Sequence, residues 1–238
     1  MSKQAALCGS IVILTIAACR GFIQPAACTV PRSPKAVLVD ASHDGGVWWS
    51  PQAGPFDQSQ PHQGHALADT LRARGYVVDE LPPGYMITSD RLLSHQIVIR
   101  AGYFGSYASS ELAAYQGFVA CPRTLVLLGE SVSSRTNEHD DLADSLGIPL
   151  TGVVSGSITS FAPHPITAGV TSIPFVTGSF LDGPRSTGVL VLGFLDAGQE
   201  PVMGIQQGRP AKLFFIGDTN GIESVPQPFV DNLLAWGF

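Results

Sequence analysis

The segment TLVLLGES predicts a buried strand that ends in a turn of Gly129, Glu130 and Ser131. A serine at this position can act as a nucleophile if a general base lies within hydrogen-bond reach and N–H groups form an oxyanion hole. His164 is a candidate base, but a histidine that directly precedes a proline is more often a turn residue with a satisfied hydrogen bond. The first interpretation is therefore that no residue is catalytic, and the alternative is catalysis by Ser131 and His164.

Glu130 also has two interpretations. Its carboxylate could bind ligand hydroxyls or act as an acid or base, or it could form an ion pair with Arg100 or Arg135 that holds loops together. The spacing places no second carboxylate beside it, which favours the ion pair. An acid/base pair with Asp44 or Asp218 is only permitted by the sequence.

Polar and aromatic side chains follow several predicted strands, and ligands of open α/β sheets bind beyond the carboxyl ends of the strands. The connection from Ala41 to Gln63 is long for a strand-to-helix loop, and its adjacent tryptophans argue against disorder. Aromatic faces beside carboxylates suit a sugar-like ligand, although either tryptophan could simply cover the sheet edge. The predicted ligand-binding residues are Asp40, His43, Asp44, Trp48, Trp49, Arg100, Glu130, Ser131, Asp218 and Asn220.

Histidines and acidic residues also raise the question of a metal. His43 with Asp44, the segment HQGH, and His139 with Asp140 could lie at the same edge, and imidazole with carboxylate suits zinc. None of these matches a specific motif, because Gln and Gly separate the two histidines of HQGH. The sequence therefore predicts no metal and no cofactor.

Strand-like and helix-like patterns alternate from Lys35 onward. The segments KAVLVD, YVVDEL, QIVIRAG and TLVLLGES predict strands, and HQGHALADTLRARG, ITSDRLLS, SSELAAYQGFVA and NEHDDLADSLG predict helices, the last with Asn137 as its N-cap. Short apolar strands separated by helices predict a mostly parallel, doubly wound α/β sheet.

The second half of the chain is less helical. GVLVLGFL, PVMGIQQG and AKLFFIGD predict three strands, of which the last two form a hairpin around Gly208, and QPFVDNLLAWGF predicts a final helix. The segment from Gly152 to Gly188 has no clear pattern.

Composition limits the classes of function. The 238 residues are 45% hydrophobic and 13% charged, with a net charge of -6, which allows one good-sized core. No cluster of Lys and Arg provides the positive surface that nucleic acid requires, so the sequence predicts no nucleic-acid partner.

The N-terminal segment differs from the rest of the chain. Lys3 and an apolar run end in Ile-Ala-Ala-Cys19, which resembles a bacterial lipoprotein signal; an ordinary secretory signal or an uncleaved anchor is the alternative. We predict a signal peptide over 1–18, lipidation at Cys19, and a tether over 19–34 with proline residues. Three of the four cysteines fall in these segments, and a bridge between Cys28 and Cys121 is open but unsupported by the sequence.

The segments AGYFGSYASSELAAYQGFV, TLVLLGES, SRTNEHDDLADSLGI and HPITAGV, in this order, resemble the class I glutamine amidotransferase-like superfamily. In particular they resemble its GIFT branch, which occurs in intraflagellar-transport and gliding-motility proteins. The resemblance covers about residues 35–170 and implies a flavodoxin-like three-layer sandwich. In active members the strand ends in a Gly-x-Cys-x-Gly elbow. Here Ser131 takes the place of the cysteine and Ser133 that of the second glycine, which implies that the amidotransferase nucleophile is lost.

The sequence thus predicts a signal peptide, a lipidated tether and one amidotransferase-like domain over 35–238, with a C-terminal hairpin extension. It predicts a lipid-anchored protein of the bacterial cell envelope that binds a carbohydrate-like ligand or a protein partner. The alternative is a Ser131-dependent hydrolase or a trehalose-utilisation-like enzyme acting on sugars.

Overall fold

The computed structural model describes residues 28–43, 64–102, 105–131, 140–195, 200–223 and 227–237. Its strands are β1 (Ala36–Asp40), β2 (Val77–Leu81), β3 (Ile97–Arg100), β4 (Thr124–Leu128), β5 (Leu150–Phe161), β6 (Ile173–Leu181), β7 (Val189–Leu195), β8 (Glu200–Gln206) and β9 (Lys212–Ile216). Its helices are α1 (His65–Ala73), α2 (Ser89–Leu93), α3 (Ser109–Val119), α4 (Asp141–Ser145), α5 (Asn220–Glu223) and α6 (Gln227–Gly237). Among the described residues, no helix has the length and apolar character needed to cross a bilayer.

The strands form one nine-stranded sheet in the order β2-β1-β3-β4-β9-β8-β7-β5-β6. The first five strands in this order run parallel, and the remaining pairs are antiparallel. The α/β class is therefore confirmed, but the sheet is mixed. The prediction of a mostly parallel, flavodoxin-like sheet is not confirmed, because only five of the nine strands form a parallel array.

The parallel half is buried on both faces, as its continuous apolar runs predict. Successive residues of β1, such as Val37 and Leu38, point to opposite faces of the sheet and belong to separate apolar clusters. Helices α1, α5 and α6 cover the first cluster, and α2, α3 and α4 cover the second. The parallel half of the sheet, completed by β9, α5 and α6, thus has the layered arrangement that the sequence pattern predicts.

Two strands of the antiparallel half, β5 and β6, come almost entirely from the segment that the sequence leaves unassigned, whereas β7 and β8 are predicted. Residues 150–161 and 173–181 form the long pair β5 and β6, whose alternation is broken by two register shifts. The predicted hairpin of β8 and β9 is confirmed, with Gln206 opposite Leu213. It is not an extension, however, because β9 also pairs with β4 and joins the two halves of the sheet.

Helix α4 begins later than its sequence pattern predicts. It starts at Asp141, and its N-cap is Asp140, whose Oδ1 accepts a hydrogen bond of 3.0 Å from the amide of Ala143. The predicted cap, Asn137, lies outside the described residues.

Candidate functional site

The candidate site lies at the carboxyl ends of four neighbouring strands, β1, β3, β4 and β9. Asp40 and Arg100 are the last residues of β1 and β3 and lie opposite each other in register. Glu130 follows β4, and Asp218 follows β9, its parallel neighbour. All four side chains are buried. The fold therefore brings these predicted residues to one edge of the sheet, while their role in ligand binding stays a prediction.

Arg100 forms a buried ion pair at this edge. Its Nη2 donates to Asp140 Oδ2, and its Nη1 donates to the carbonyl oxygen of Gly102 at 2.9 Å. Burial by itself lowers the pKa of Arg100, but the Asp140 carboxylate more than offsets this, so the pKa is raised and the guanidinium stays charged. The N-cap of α4 therefore also neutralises the buried arginine.

Asp40 is held by hydrogen bonds from two sides. Its Oδ2 accepts from the Tyr115 hydroxyl at 2.5 Å, and its Oδ1 accepts from the Ser42 amide at 2.9 Å. Burial, followed by the charge of Asp40, raises the pKa of both Tyr115 and Tyr107, so both phenols remain protonated donors.

His43 lies beside this network on the loop after β1. Its Nε2 is 3.2 Å from Glu111 Oε1, and its ring stacks on Tyr107 with the ring centroids 4.0 Å apart. Glu111 also accepts from the amides of Ile87 at 3.0 Å and Ala108 at 2.9 Å. Burial raises the pKa of Glu111, but these donors reverse the effect and lower it. Glu111 thus remains ionised and links the start of α3 to two neighbouring loops.

Glu130 differs from the other carboxyl groups of the site. Only 9% of it is exposed, and its Oε1 has no hydrogen-bond partner within the described part of the chain. Burial raises its pKa to about 7, and the charge of Asp218 adds to the increase, whereas contacts with Thr219 and the Ser131 amide oppose it. At neutral pH Glu130 is therefore divided between a neutral acid and a carboxylate.

Asp218 is fixed by the antiparallel half of the sheet. Its Oδ2 accepts from the Val176 amide of β6 at 2.6 Å, and its Oδ1 accepts from the Asn220 amide at 3.0 Å. The Ser179 amide donates to the carbonyl oxygen of Gly217 at 2.9 Å, so β6 returns to the end of β9. A β-carbon on Gly217 would lie 1.9 Å from the Ser179 carbonyl oxygen, which is why this position requires glycine.

No protein-family model and no curated protein matches the sequence. Solved structures do match. The N-terminal domain of mmIFT52 superposes with a TM-score of 0.63 at 14% identity, covering 84% of this chain and 96% of that one. A cytoplasmic protein from Salmonella typhimurium superposes with a TM-score of 0.58 at 12% identity, covering 85% of this chain and 98% of that one. A protein described as ThuA-like from Bacteroides uniformis superposes with a TM-score of 0.57 at 12% identity, covering 89% of this chain and 94% of that one.

These neighbours fit the GIFT and glutamine amidotransferase-like fold. The fold part of the predicted resemblance is thus supported at the level of architecture. Identities of this size show a shared fold and nothing about shared chemistry.

The structure separates the two residues of the alternative catalytic pair. His164 lies in a 3₁₀ turn packed against the C-terminal half of α6, its ring centroid 6.3 Å from that of Trp236. The carbonyl oxygen of Gly237, the last residue of α6, accepts from Thr124 at the amino end of β4, whereas Ser131 follows the carboxyl end. These contacts hold His164 towards the amino end of β4, which argues against it as the base for Ser131, while catalysis by Ser131 stays a prediction.

His164 instead has the local role of a turn residue. Its Nδ1 accepts from the Ile166 amide at 3.2 Å, and its own amide donates to Thr167 Oγ1 at 3.1 Å. Burial lowers the pKa of its imidazole, which keeps the acceptor nitrogen unprotonated at neutral pH.

Several predicted residues lie outside the described residues, namely Cys19, Asp44, Trp48, Trp49, His62, Ser133, Arg135 and His139. Among the residues that are described, no group of three His, Cys, Asp or Glu side chains could hold a metal ion. Asn220 follows Asp218 and begins α5, with its amide directed at that carboxylate.

The sequence does not single out Tyr107 or Tyr115 as parts of the site, and it considers Asp140 only with His139, as a possible metal ligand, not as the partner of Arg100. Tyr115 has the spacing of an ordinary core residue of α3, and its hydroxyl reaches Asp40 only because α3 packs beside the end of β1. Asp140 could have been found as an N-cap candidate, since an acidic residue directly precedes the helical segment.

Proposed function

We propose that this chain is a binding domain of the bacterial cell envelope whose ligand occupies the carboxyl edge of β1, β3, β4 and β9. The observation that carries the proposal is Glu130, a buried carboxyl group with an unpartnered oxygen among the described residues and a second carboxyl group, Asp218, nearby. A buried carboxyl that must ionise near neutral pH lowers stability, and such groups are concentrated at functional sites. An apolar side chain would serve packing better here.

The ligand class follows from the sign of the charges. Within the described part of this edge, the buried acidic residues Asp40, Glu130, Asp140 and Asp218 outnumber the one buried guanidinium, that of Arg100, which pairs with Asp140. Carboxyl oxygens accept hydrogen bonds, so the edge suits a ligand that presents several donors, such as the hydroxyls of a carbohydrate. An anionic ligand is disfavoured by the same charges.

Calorimetric titration with a panel of neutral, amino and acidic glycans tests the proposal. We expect a neutral or amino glycan to bind, and Glu130→Gln, Asp218→Asn and Trp48→Ala each to weaken binding about tenfold, which corresponds to one or two lost contacts. Asp231→Asn, whose exposed carboxylate pairs with Arg74 just before β2, at the other end of the parallel strands, is the matched control and should bind as the wild type does. If no glycan binds, the carbohydrate proposal fails, and a protein partner at the same edge becomes the next candidate.

The envelope location is supported by a covalent feature. Cys28 forms a disulfide with Cys121, and disulfides persist in oxidising compartments outside the cytoplasm. Cell fractionation of Cys19→Ser tests the proposed lipid anchor. We expect the protein to leave the membrane fraction and its precursor to remain unprocessed, and an unchanged distribution would contradict lipidation at Cys19.

A second candidate is an enzyme that uses Ser131. It is favoured by one observation: Ser131 is partly exposed at the strand end, and its amide contacts Glu130, a carboxyl group with a pKa of about 7 that could accept a proton. Labelling by a fluorophosphonate probe, abolished in Ser131→Ala, would support this candidate. An unlabelled, folded protein would remove it.

A further inference from the structure

The N-terminal segment of the described chain is fixed to the edge of the sheet where the parallel strands begin. Cys28 is joined by a disulfide to Cys121, and the Arg123 guanidinium donates to the carbonyl oxygen of Thr29. Cys121 and Arg123 directly precede β4. The segment therefore reaches this amino edge before it enters β1.

Further contacts extend this attachment towards β3. The Arg32 amide donates to the carbonyl oxygen of Ser94 at 3.1 Å, and the Arg32 guanidinium pairs with Asp79 at 2.5 Å. Ser94 precedes β3, as Cys121 precedes β4, so both anchoring points lie on the same edge.

The candidate site lies on the opposite edge. Asp40 and Arg100 end β1 and β3, and Glu130 and Asp218 follow β4 and β9, so the strands themselves separate the site from the attached segment. Strands of four or five residues at 3.3 Å per residue place the two edges about 15 Å apart.

The two edges also carry opposite charge. Basic side chains that are exposed or half-buried lie near the amino ends of the parallel strands: Arg32, Lys35, Arg74, Arg209 and Lys212. Arg32 and Arg74 are balanced by Asp79 and Asp231, whereas the ammonium groups of Lys35 and Lys212 hydrogen-bond to backbone carbonyl oxygens. The amino edge is thus the side that is attracted to an anionic lipid surface.

We propose that the amino edge of the sheet is the membrane-facing surface of the protein and that its partner is an anionic bilayer. This inference rests on the proposed lipid anchor at Cys19. The tether between Cys19 and Cys28 spans at most about 30 Å, and the disulfide ends it at the amino edge rather than letting it continue freely to β1. The candidate site is therefore presented away from the bilayer, and its ligand arrives from the aqueous side.

Amine labelling of the full-length, lipidated protein tests the orientation. After residue 18 the sequence contains two lysines, Lys35 and Lys212, and both lie at the amino edge. Tyr85→Lys adds a third amine at an exposed position in the turn after β2, on the opposite edge. The probe is a membrane-impermeant N-hydroxysuccinimide ester, and mass spectrometry measures the labelling rate of each lysine in detergent and in vesicles of phosphatidylethanolamine and phosphatidylglycerol.

We expect the labelling of Lys35 and Lys212 to slow at least threefold in vesicles, with that of the amine introduced by Tyr85→Lys unchanged. In a Cys28→Ser and Cys121→Ser protein the protection should shrink. Equal rates at all three positions, or protection of the introduced amine, would overturn the inference while leaving the anchor intact. A wild-type protein that does not associate with the vesicles would overturn the anchor and this inference together, whereas glycan binding would be unaffected.

Discussion

The two edges of the parallel strands are built from the same five strands but hold their side chains in opposite ways. At the amino edge, a disulfide attaches the N-terminal segment to the buried Cys121, and basic residues such as Lys35 and Lys212 are exposed. At the carboxyl edge, Arg100, Glu130 and Asp218 are buried; Arg100 and Asp218 are hydrogen-bonded, whereas Glu130 Oε1 has no hydrogen-bond partner within the described part of the chain. Buried charges lower stability unless they are fully paired, and exposed ones hardly affect it.

The difference indicates where function lies. At the amino edge the buried Arg123 donates to the carbonyl oxygen of Thr29 and holds the N-terminal segment, which is a structural role. The carboxyl edge keeps a carboxyl group whose ionisation is opposed by its surroundings. The comparison predicts that changes at the amino edge affect stability and membrane association but leave ligand binding unchanged, whereas changes at the carboxyl edge affect pH dependence and binding.

The largest effect is expected from the disulfide. Cys28→Ser with Cys121→Ser should lower the free energy of unfolding by about 5 kcal/mol, because the bond closes a loop with a sequence separation of 93 residues in the unfolded chain. Denaturant unfolding measures it, and reduction of the wild-type protein should give a similar loss. A loss below about 1 kcal/mol would mean that the bond does not constrain the unfolded state as expected.

Next comes the buried ion pair at the carboxyl edge. Asp140→Asn keeps a side chain that can cap α4 but leaves the Arg100 charge buried without its carboxylate, and should lower stability by about 4 kcal/mol. Asp144→Asn, in the same helix, is the matched control. It breaks only the exposed pair with Arg185 and should cost about 0.5 kcal/mol. Equal losses would contradict the contrast between buried and exposed pairs.

Glu130→Gln should change the pH dependence of stability. In the folded protein the pKa of Glu130 is raised to about 7. Its contribution to the free energy of unfolding is therefore fully present below the pKa of the unfolded chain and is lost as the pH rises through the folded pKa. From pH 4 to pH 8 the free energy of unfolding of the wild type should therefore fall by about 3 kcal/mol relative to that of Glu130→Gln. Unfolding at both pH values measures this. Asp69→Asn, at an exposed site, should show no such divergence from the wild type. If the stability of the wild type and that of Glu130→Gln changed in parallel with pH, a raised pKa of Glu130 would be excluded.

The smallest effect is expected at Ser131. This residue is partly exposed, and the histidine proposed as its base is held at the other end of β4. Ser131→Ala should change the free energy of unfolding by less than about 0.5 kcal/mol. It should also leave glycan binding within twofold of the wild type. A tenfold loss of binding would place the hydroxyl in contact with the ligand.

Much of the parallel half could be predicted from the sequence, because buried parallel strands are continuous apolar runs. KAVLVD and TLVLL, for example, become β1 and β4 almost residue for residue. The pair β5 and β6 could not be predicted. Its glycines, its register shifts and its half-exposed faces remove the alternation on which such a prediction depends.

The site shows the same division. Because parallel strands end at the same edge, the sequence places Asp40, Arg100, Glu130 and Asp218 together. It does not reveal that Arg100 pairs with Asp140, since that contact depends on how α4 packs against β3.

By itself the sequence determined the alternating strands and helices before β5, the parallel half of the sheet and the edge at which polar residues collect. These features depend on local periodicity and on chain direction. Only the tertiary structure decided the pairing of Cys28 with Cys121, the return of β6 to Gly217 and the environment of Glu130. Each of these depends on contacts between residues far apart in the chain, where burial and close packing, rather than neighbouring residues, set the energy.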